Sequence, residues 1–199
     1  MKDHTAMIKI LYYDLETTGT DERKHGIHQM SGMLEIDGEV VEEFDYRVQP
    51  NLKAKLEPEA LAVGRVTEEQ IMAYEPMDKV YRRFTAMLQK YVNKFDKSDK
   101  IYLCGFNSAD FDNRFLRAWF KQNSDSYFGS FFYGEDLDVR ILAAQYLLNR
   151  RAGMENFKLM SVARELGIDV DESKLHDALY DIELTRACYR IVTGIDFEL

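Results

Sequence analysis

Residues 7–16 read Met-Ile-Lys-Ile-Leu-Tyr-Tyr-Asp-Leu-Glu, with apolar side chains on both odd and even positions. A strand that faces water on one side alternates polar and apolar residues. One that is apolar on both parities is covered on both faces. The chain must therefore supply packing layers above and below a sheet. Thr18-Gly19 and the polar run 20–26 break this segment. Residues 27–36 and 39–48 then flank Asp37-Gly38, a strong signal for a two-residue hairpin. The first quarter of the chain thus predicts three strands in an antiparallel meander.

Downstream the periodicity changes. Residues 50–76 read as a loop with short helical pieces, one starting at Thr67-Glu68-Glu69-Gln70, a capping-box pattern. Helix is predicted over 77–92, with Val80, Phe84, Met87, Leu88 and Tyr91 on one face. A short buried strand at 101–104 precedes helix at 112–121, with Phe115, Leu116 and Trp119 facing inward. Residues 138–148 and 158–166 are further helices, the latter stopped by Gly167. The last helix, 177–192, is expected to bury Leu184, Ala187, Cys188 and Ile191. Meander followed by alternating helix and strand implies an α/β chain whose mixed sheet carries helices on its faces.

No repeat or linker divides the 199 residues, so 1–199 is expected to be a single domain. There is no apolar run of membrane-spanning length and no secretory signal pattern at the start. The two cysteines, Cys104 and Cys188, sit in apolar runs and read as buried thiols of a reducing, cytoplasmic protein. The net charge is -9, from 26 basic and 35 acidic residues. A protein that tracks long nucleic acid by its phosphates normally carries a basic surplus. Either this one binds none, or it holds a short end with bound cations supplying positive field; ligand carboxylates would themselves raise the acid count.

Asp14 and Glu16, at i and i+2 of the first strand, point from one face. Two such acids repel and are costly to desolvate unless a cation lies between them, although a strand end already in solvent would carry them equally well. Asp112 closes Gly105-Phe106-Asn107-Ser108-Ala109-Asp110-Phe111-Asp112, between a strand and a helix. Asp110 and Asp112 both suit an N-cap there, and one of them is expected to serve as one. His176 and Asp181 open the last helix. Five residues apart they diverge by about 140° within a helix, so they can converge only if His176 lies at or before its first turn. His4, His25 and His28 have no partner at metal-ligand spacing and read as surface or strand positions. Oxygen ligands without thiolates favour Mg²⁺ or Mn²⁺.

In combination these segments resemble the DnaQ-like, DEDDh class of 3′→5′ exonucleases. Asp14-Leu15-Glu16-Thr17-Thr18-Gly19 is similar to the first family motif, Asn107 to Asp112 with Phe115-Leu116 to the second, and His176-x4-Asp181 to the third. Asp177 stands where the tyrosine-bearing relatives carry Tyr, which excludes that variant. Lys158-Leu159 to Leu166-Gly167 resembles the family's approach to the third motif. Gly64-Arg65-Val66-Thr67 departs from the family's usual His-Gly-Ile-Thr, and the interval from Asn107 to Asp112 is one residue longer than in many members. The resemblance implies a ribonuclease H-like fold: a mixed five-stranded sheet, three antiparallel strands plus parallel ones, flanked by helices. It implies two divalent ions, Mg²⁺ or Mn²⁺, held by Asp14, Glu16, Asp112 and Asp181, with His176 as general base. Leu15, Thr17, Thr18, Asn107 and Phe111 would then border the substrate, although Leu15 and Phe111 suit plain core equally.

The activity so implied is release of nucleoside monophosphates from nucleic-acid 3′ ends, with single-stranded DNA in proofreading or repair favoured over RNA. RNA or oligoribonucleotide trimming is the alternative. A non-catalytic module of the same fold should have lost at least one of the five site residues, and all five are present. The resemblance also raises a polymerase partner, for which residues 193–199 carry no evident docking peptide.

Overall fold

In the computed structural model, which describes residues 7–174 and 177–195, the apolar opening run becomes β1 (Lys9–Thr17), at the interior of the sheet. It pairs antiparallel with β2 (Ile27–Ile36), which pairs antiparallel with β3 (Glu39–Gln49) across the Asp37-Gly38 turn. Asp37 and Gly38 both adopt positive φ, 48° and 88°, the pair of conformations a type I′ turn requires. Two short helices, α1 (Pro58–Val63) and α2 (Glu68–Met72), occupy the loop region, and Thr67 and Gln70 close the capping box. Beyond them lie β4 (Glu75–Pro76) and α3 (Met77–Tyr91), then β5 (Tyr102–Gly105), parallel to β1. There follow α4 (Asp112–Gln122), α5 (Phe128–Phe131), β6 (Leu137–Asp138), α6 (Val139–Tyr146), α7 (Leu159–Glu165) and α8 (Ala178–Thr193).

The strand order is β4-β3-β2-β1-β5-β6, the expected mixed sheet with six strands rather than five. The extra count comes from β4 and β6, two residues each, which close the two edges. Strands that short carry no period-2 signal, and Pro76 suits only an edge. Leu11, Tyr13 and Leu15 point into one core with side chains of α3 and α4; Ile10 and Tyr12 point into the other, with α6, α7 and α8. The double coverage read from the parity of β1 is realised.

Two expectations need correction. On α8 the buried side chains are Ile182, Leu184, Thr185, Cys188 and Tyr189, while Ile191 is 38% exposed and Ala187 half-buried. The helix is rotated because Tyr189 packs edge-on against Tyr12, with ring centroids 5.9 Å apart, and this larger ring claims the interior. Neither Asp110 nor Asp112 caps α4: its N-cap is Phe111, with no side-chain bond, and Asp110 is exposed. The Asp112 carboxylate reaches β1 instead. Among the described residues no helix is long and apolar enough to cross a membrane.

Candidate active site

Asp14 and Glu16 share the parity of Ile10 and Tyr12, so they lie on the α8 side of the sheet, past the point where its core ends. Across the sheet Asp14 pairs with Ser31 and Glu16 with Gln29. Asp112, the first residue of α4 and 4% exposed, accepts a hydrogen bond at Oδ1 from the Leu15 N–H, 3.0 Å away. That bond ties the second motif to the backbone between the two acids of the first. Asp181 lies in the first turn of α8, whose N-cap Asp177 accepts from the Leu179 and Tyr180 N–H groups at 3.1 and 3.2 Å.

Burial and neighbouring charge act on the protonation of two of these acids. Burial lifts the Asp14 carboxyl to about 7, and the negative fields of Glu16 and Asp181 add to the effect. Asp112 is pushed well above the usual carboxylate range, by burial first and then by Asp14, with Glu16 contributing and the Leu15 N–H opposing. Thus four acids from β1, α4 and α8 feel one another. His176 lies outside the described residues.

The donor set suits hard divalent cations: oxygen only, with Asp112 buried and the other three acids half-buried, and without an ion pair to Asp14 or Asp112 among the described residues. No three of these side chains yet close around one point as an ion's shell would require. Closing a shell would take rotations about the soft carboxylate torsions of these side chains.

The proposed substrate-facing residues divide. The Leu15 side chain belongs to the α3/α4 core, and Phe111 packs against that core with its ring 5.1 Å from Phe115. Thr17 Oγ1 donates to the Gly19 carbonyl; Thr18, fully buried, donates to the Lys55 carbonyl and accepts from the Gly26 N–H. These two threonines shape the connection after β1. Asn107, at φ +67°, accepts from the Arg140 guanidinium through Oδ1.

Sequence reasoning passed over Asp138. Buried at 5% exposure, its carboxylate accepts from the Asn107 and Ala109 N–H groups, both at 3.1 Å, and from the Arg140 N–H at 2.9 Å. One side chain caps α6 and fixes the loop that delivers Asp112. An acid immediately before an apolar helical run was the available signal. Gly105 leads into the same loop, and a Cβ there would stand 2.7 Å from that of Ser108 and 3.1 Å from the Tyr13 carbonyl. His28 lies in β2, a strand position as read, and is buried, whereas His25 is neither surface nor strand: it is buried in the loop after β1, where Nδ1 accepts from the Asp21 N–H and Nε2 lies 2.9 Å from Glu57.

A cavity of about 250 Å³ opens beside Glu16, lined also by Gln29, Asp45, Arg47, Arg65 and the start of α8. Gln29 and Arg47 lie in register with Glu16 across three strands, and Ser31 and Asp45 with Asp14. The acids therefore form one end of a polar row.

Comparison with known proteins places this geometry in a family. The RNase_T family description, Exonuclease, matches residues 11–189. Among curated relatives, DNA polymerase III PolC-type of Thermotoga petrophila is 24% identical over 86% of this chain and 11% of its own, and that of Mycoplasmopsis pulmonis 25% over 91% and 12%. The chain thus spans about an eighth or less of the curated relatives it matches. Solved structures of exonuclease I share the fold: one, titled for how processivity is achieved, has a TM-score of 0.73 at 21% identity over 94% of this chain and 41% of its own. The Escherichia coli enzyme in complex with a dT13 oligonucleotide gives 0.72 at 20% over 94% and 41%, and a zinc-bound form with single-stranded DNA 0.73 at 21% over 94% and 40%. The fold is ribonuclease H-like, and the chain belongs to the RNase_T exonuclease family, the DnaQ-like 3′→5′ exonucleases.

Proposed function

We propose that this chain is a divalent-cation-dependent 3′→5′ exonuclease that releases nucleoside monophosphates from single-stranded 3′ ends, DNA in preference to RNA. The observation that carries the reading is that Asp112 is bonded to the backbone between Asp14 and Glu16, while the negative fields of Glu16 and Asp181 both reach Asp14. Asp14, which lies in the fields of Glu16 and Asp181 and acts on Asp112, would hold Mg²⁺ or Mn²⁺ together with those three acids. When bound, such ions supply charge neutralisation at the phosphate and acidity to a water molecule. His176, five residues before Asp181 in the sequence, would take the proton of the attacking water, since an imidazole can bind one near neutral pH. The P–O3′ bond breaks, and the shortened strand keeps its 3′ hydroxyl.

DNA is favoured because the matched relatives are DNA polymerases and the fold neighbours include exonuclease I bound to dT13. A polymerase partner and a role in proofreading or repair rest on the PolC-type relatives. The test is a parallel time course on 3′-labelled single-stranded DNA and RNA with Mg²⁺, Mn²⁺ or EDTA. Cation-dependent release of monophosphates, faster from DNA, is expected. Faster release from RNA would overturn the preference, and cleavage in EDTA would overturn the cation requirement.

A further inference from the structure

An enzyme that grips a strand has to find positive charge somewhere in a chain of net charge -9. The structure concentrates it. A cleft of about 480 Å³ between α4 and the loop after β1 is lined by Arg23, Arg114, Arg117 and Lys121 against the single acid Glu22. Arg114, Arg117 and Lys121 fall at i, i+3 and i+7 of α4, one stripe about 10 Å long on the helix that begins with Asp112. Arg23 and Arg114 have acidic partners, Asp21 and Glu22. Arg117 and Lys121 have no ion pair among the described residues. The Arg117 guanidinium lies over the Phe128 ring, 4.2 Å from its centroid, and its charge acts on the Asp136 carboxyl.

A second surface is aromatic. One residue before Phe128, Tyr127 is 71% exposed, and with Phe95, 85% exposed, and Lys94 it lines a second cavity of about 350 Å³. Large rings so exposed do nothing for the core. Cations that follow a backbone, with rings that accept any base, are what sequence-tolerant binding of a single strand requires. From these contacts we infer that the strand 5′ of the scissile bond leaves the acidic site along α4. Arg114, Arg117 and Lys121 meet its phosphates, and Tyr127 and Phe95 stack its bases. This path rests on the exonuclease reading and adds to it a binding surface outside the four acids. It also accounts for how an acidic chain holds a polyanion: the acids face the cations of the site, and the strand meets a locally basic face.

The test is equilibrium binding of sixteen-residue oligothymidylate with a phosphorothioate at its 3′-terminal linkage, in Mg²⁺, across a range of monovalent salt. For Arg117→Gln/Lys121→Gln the dependence of log K on log salt should flatten by about 1.4, two phosphate contacts on a single strand. For Phe95→Ser/Tyr127→Ser the slope should hold while affinity falls about tenfold or more. Lys121→Arg should restore part of the slope, which a merely misfolded surface would not allow. In hydrolysis, the ratio of kcat/KM for a sixteen-residue strand to that for a dinucleotide should fall in both double variants. Slopes and affinities equal to wild type, in an enzyme that still degrades the strand, would overturn the path and leave the exonuclease reading standing. A wild-type chain that hydrolyses no strand in any divalent cation would overturn the reading itself, and the path with it.

Discussion

Replacing Asp112 by asparagine removes a buried negative charge while keeping the side-chain shape and, at Oδ1, an acceptor for the Leu15 N–H. In the cation-free protein that charge is a liability, disfavoured by burial first and then by Asp14 and Glu16. Asp112→Asn should therefore melt several degrees above wild type in EDTA, since about 1–3 kcal/mol of relieved repulsion shifts a chain of this size by roughly 2–4 °C per kcal/mol. The same variant should lose nearly all turnover with Mg²⁺. A variant that melts lower in EDTA and still cleaves would show that Asp112 is a structural acid only. His28 carries a separate pH signature. It is fully buried, neither ring nitrogen has a hydrogen-bond partner among the described residues, and burial, with the Arg47 charge assisting, lowers its pKa from 6.5 to about 4. The unfolded chain thus binds a proton that the folded one refuses between these values. His28 stabilisation is complete above about 6.5 and is lost as pH falls towards 4, by about 3 kcal/mol. Urea titrations of His28→Leu should show a smaller loss of stability than wild type from pH 6.5 to 4. Parallel curves for the two proteins would refute the buried neutral imidazole.

At the scale of elements, the site depends on how two helices are held. α8 is fastened to the β2–β3 hairpin by Glu35, 1% exposed, which Arg186 and Arg190 both contact, while both guanidinium groups also donate to the Gly38 carbonyl. Glu35→Ala leaves two partly buried cations without their acid. It should cost about 3 kcal/mol, and it should weaken cation binding because Asp181 rides on the same helix. Unchanged cation affinity in a folded Glu35→Ala would separate the clamp from the site. On the other flank Asp138 fixes the loop before α4. The sequence reading singled out Asp14, Glu16, Asp112 and Asp181 because each stands at an element end within an ordered set of motifs. It passed over Asp138 because β6 is two residues long and leaves no periodic trace ahead of the cap. It misjudged the α8 stripe because helical spacing alone ranks Ile191 with Leu184, whereas the fit of Tyr189 onto Tyr12 decides which way the helix turns. The basic stripe of α4 was invisible for a related reason. Three cations at helical spacing are ordinary on any exposed face, and only the cleft they line gives them a common ligand.

For the whole molecule, the acidic site joins β1, α4 and α8 through repulsion in the absence of cations and should join them through attraction in their presence. Any ligand that binds only the folded chain stabilises it by RT ln(1 + [L]/Kd), about 2.7 kcal/mol at a hundred times Kd. For a chain of 199 residues that corresponds to roughly 5–10 °C in Tm. Calorimetric scans from EDTA to saturating Mg²⁺ should therefore show a Tm that climbs with the logarithm of cation concentration once the site begins to fill. Asp14→Asn should abolish the climb, because it removes the acid on which the other fields converge. Ca²⁺, also a hard oxygen-seeking ion, should raise Tm as well, which separates binding from turnover. The monovalent-salt control matters in a chain of net charge -9, since general screening also relieves self-repulsion. Screening raises wild type and Asp14→Asn alike, whereas a bound ion raises wild type alone. Equal Mg²⁺ responses in the two proteins would reduce the effect to screening and remove the cation from the site.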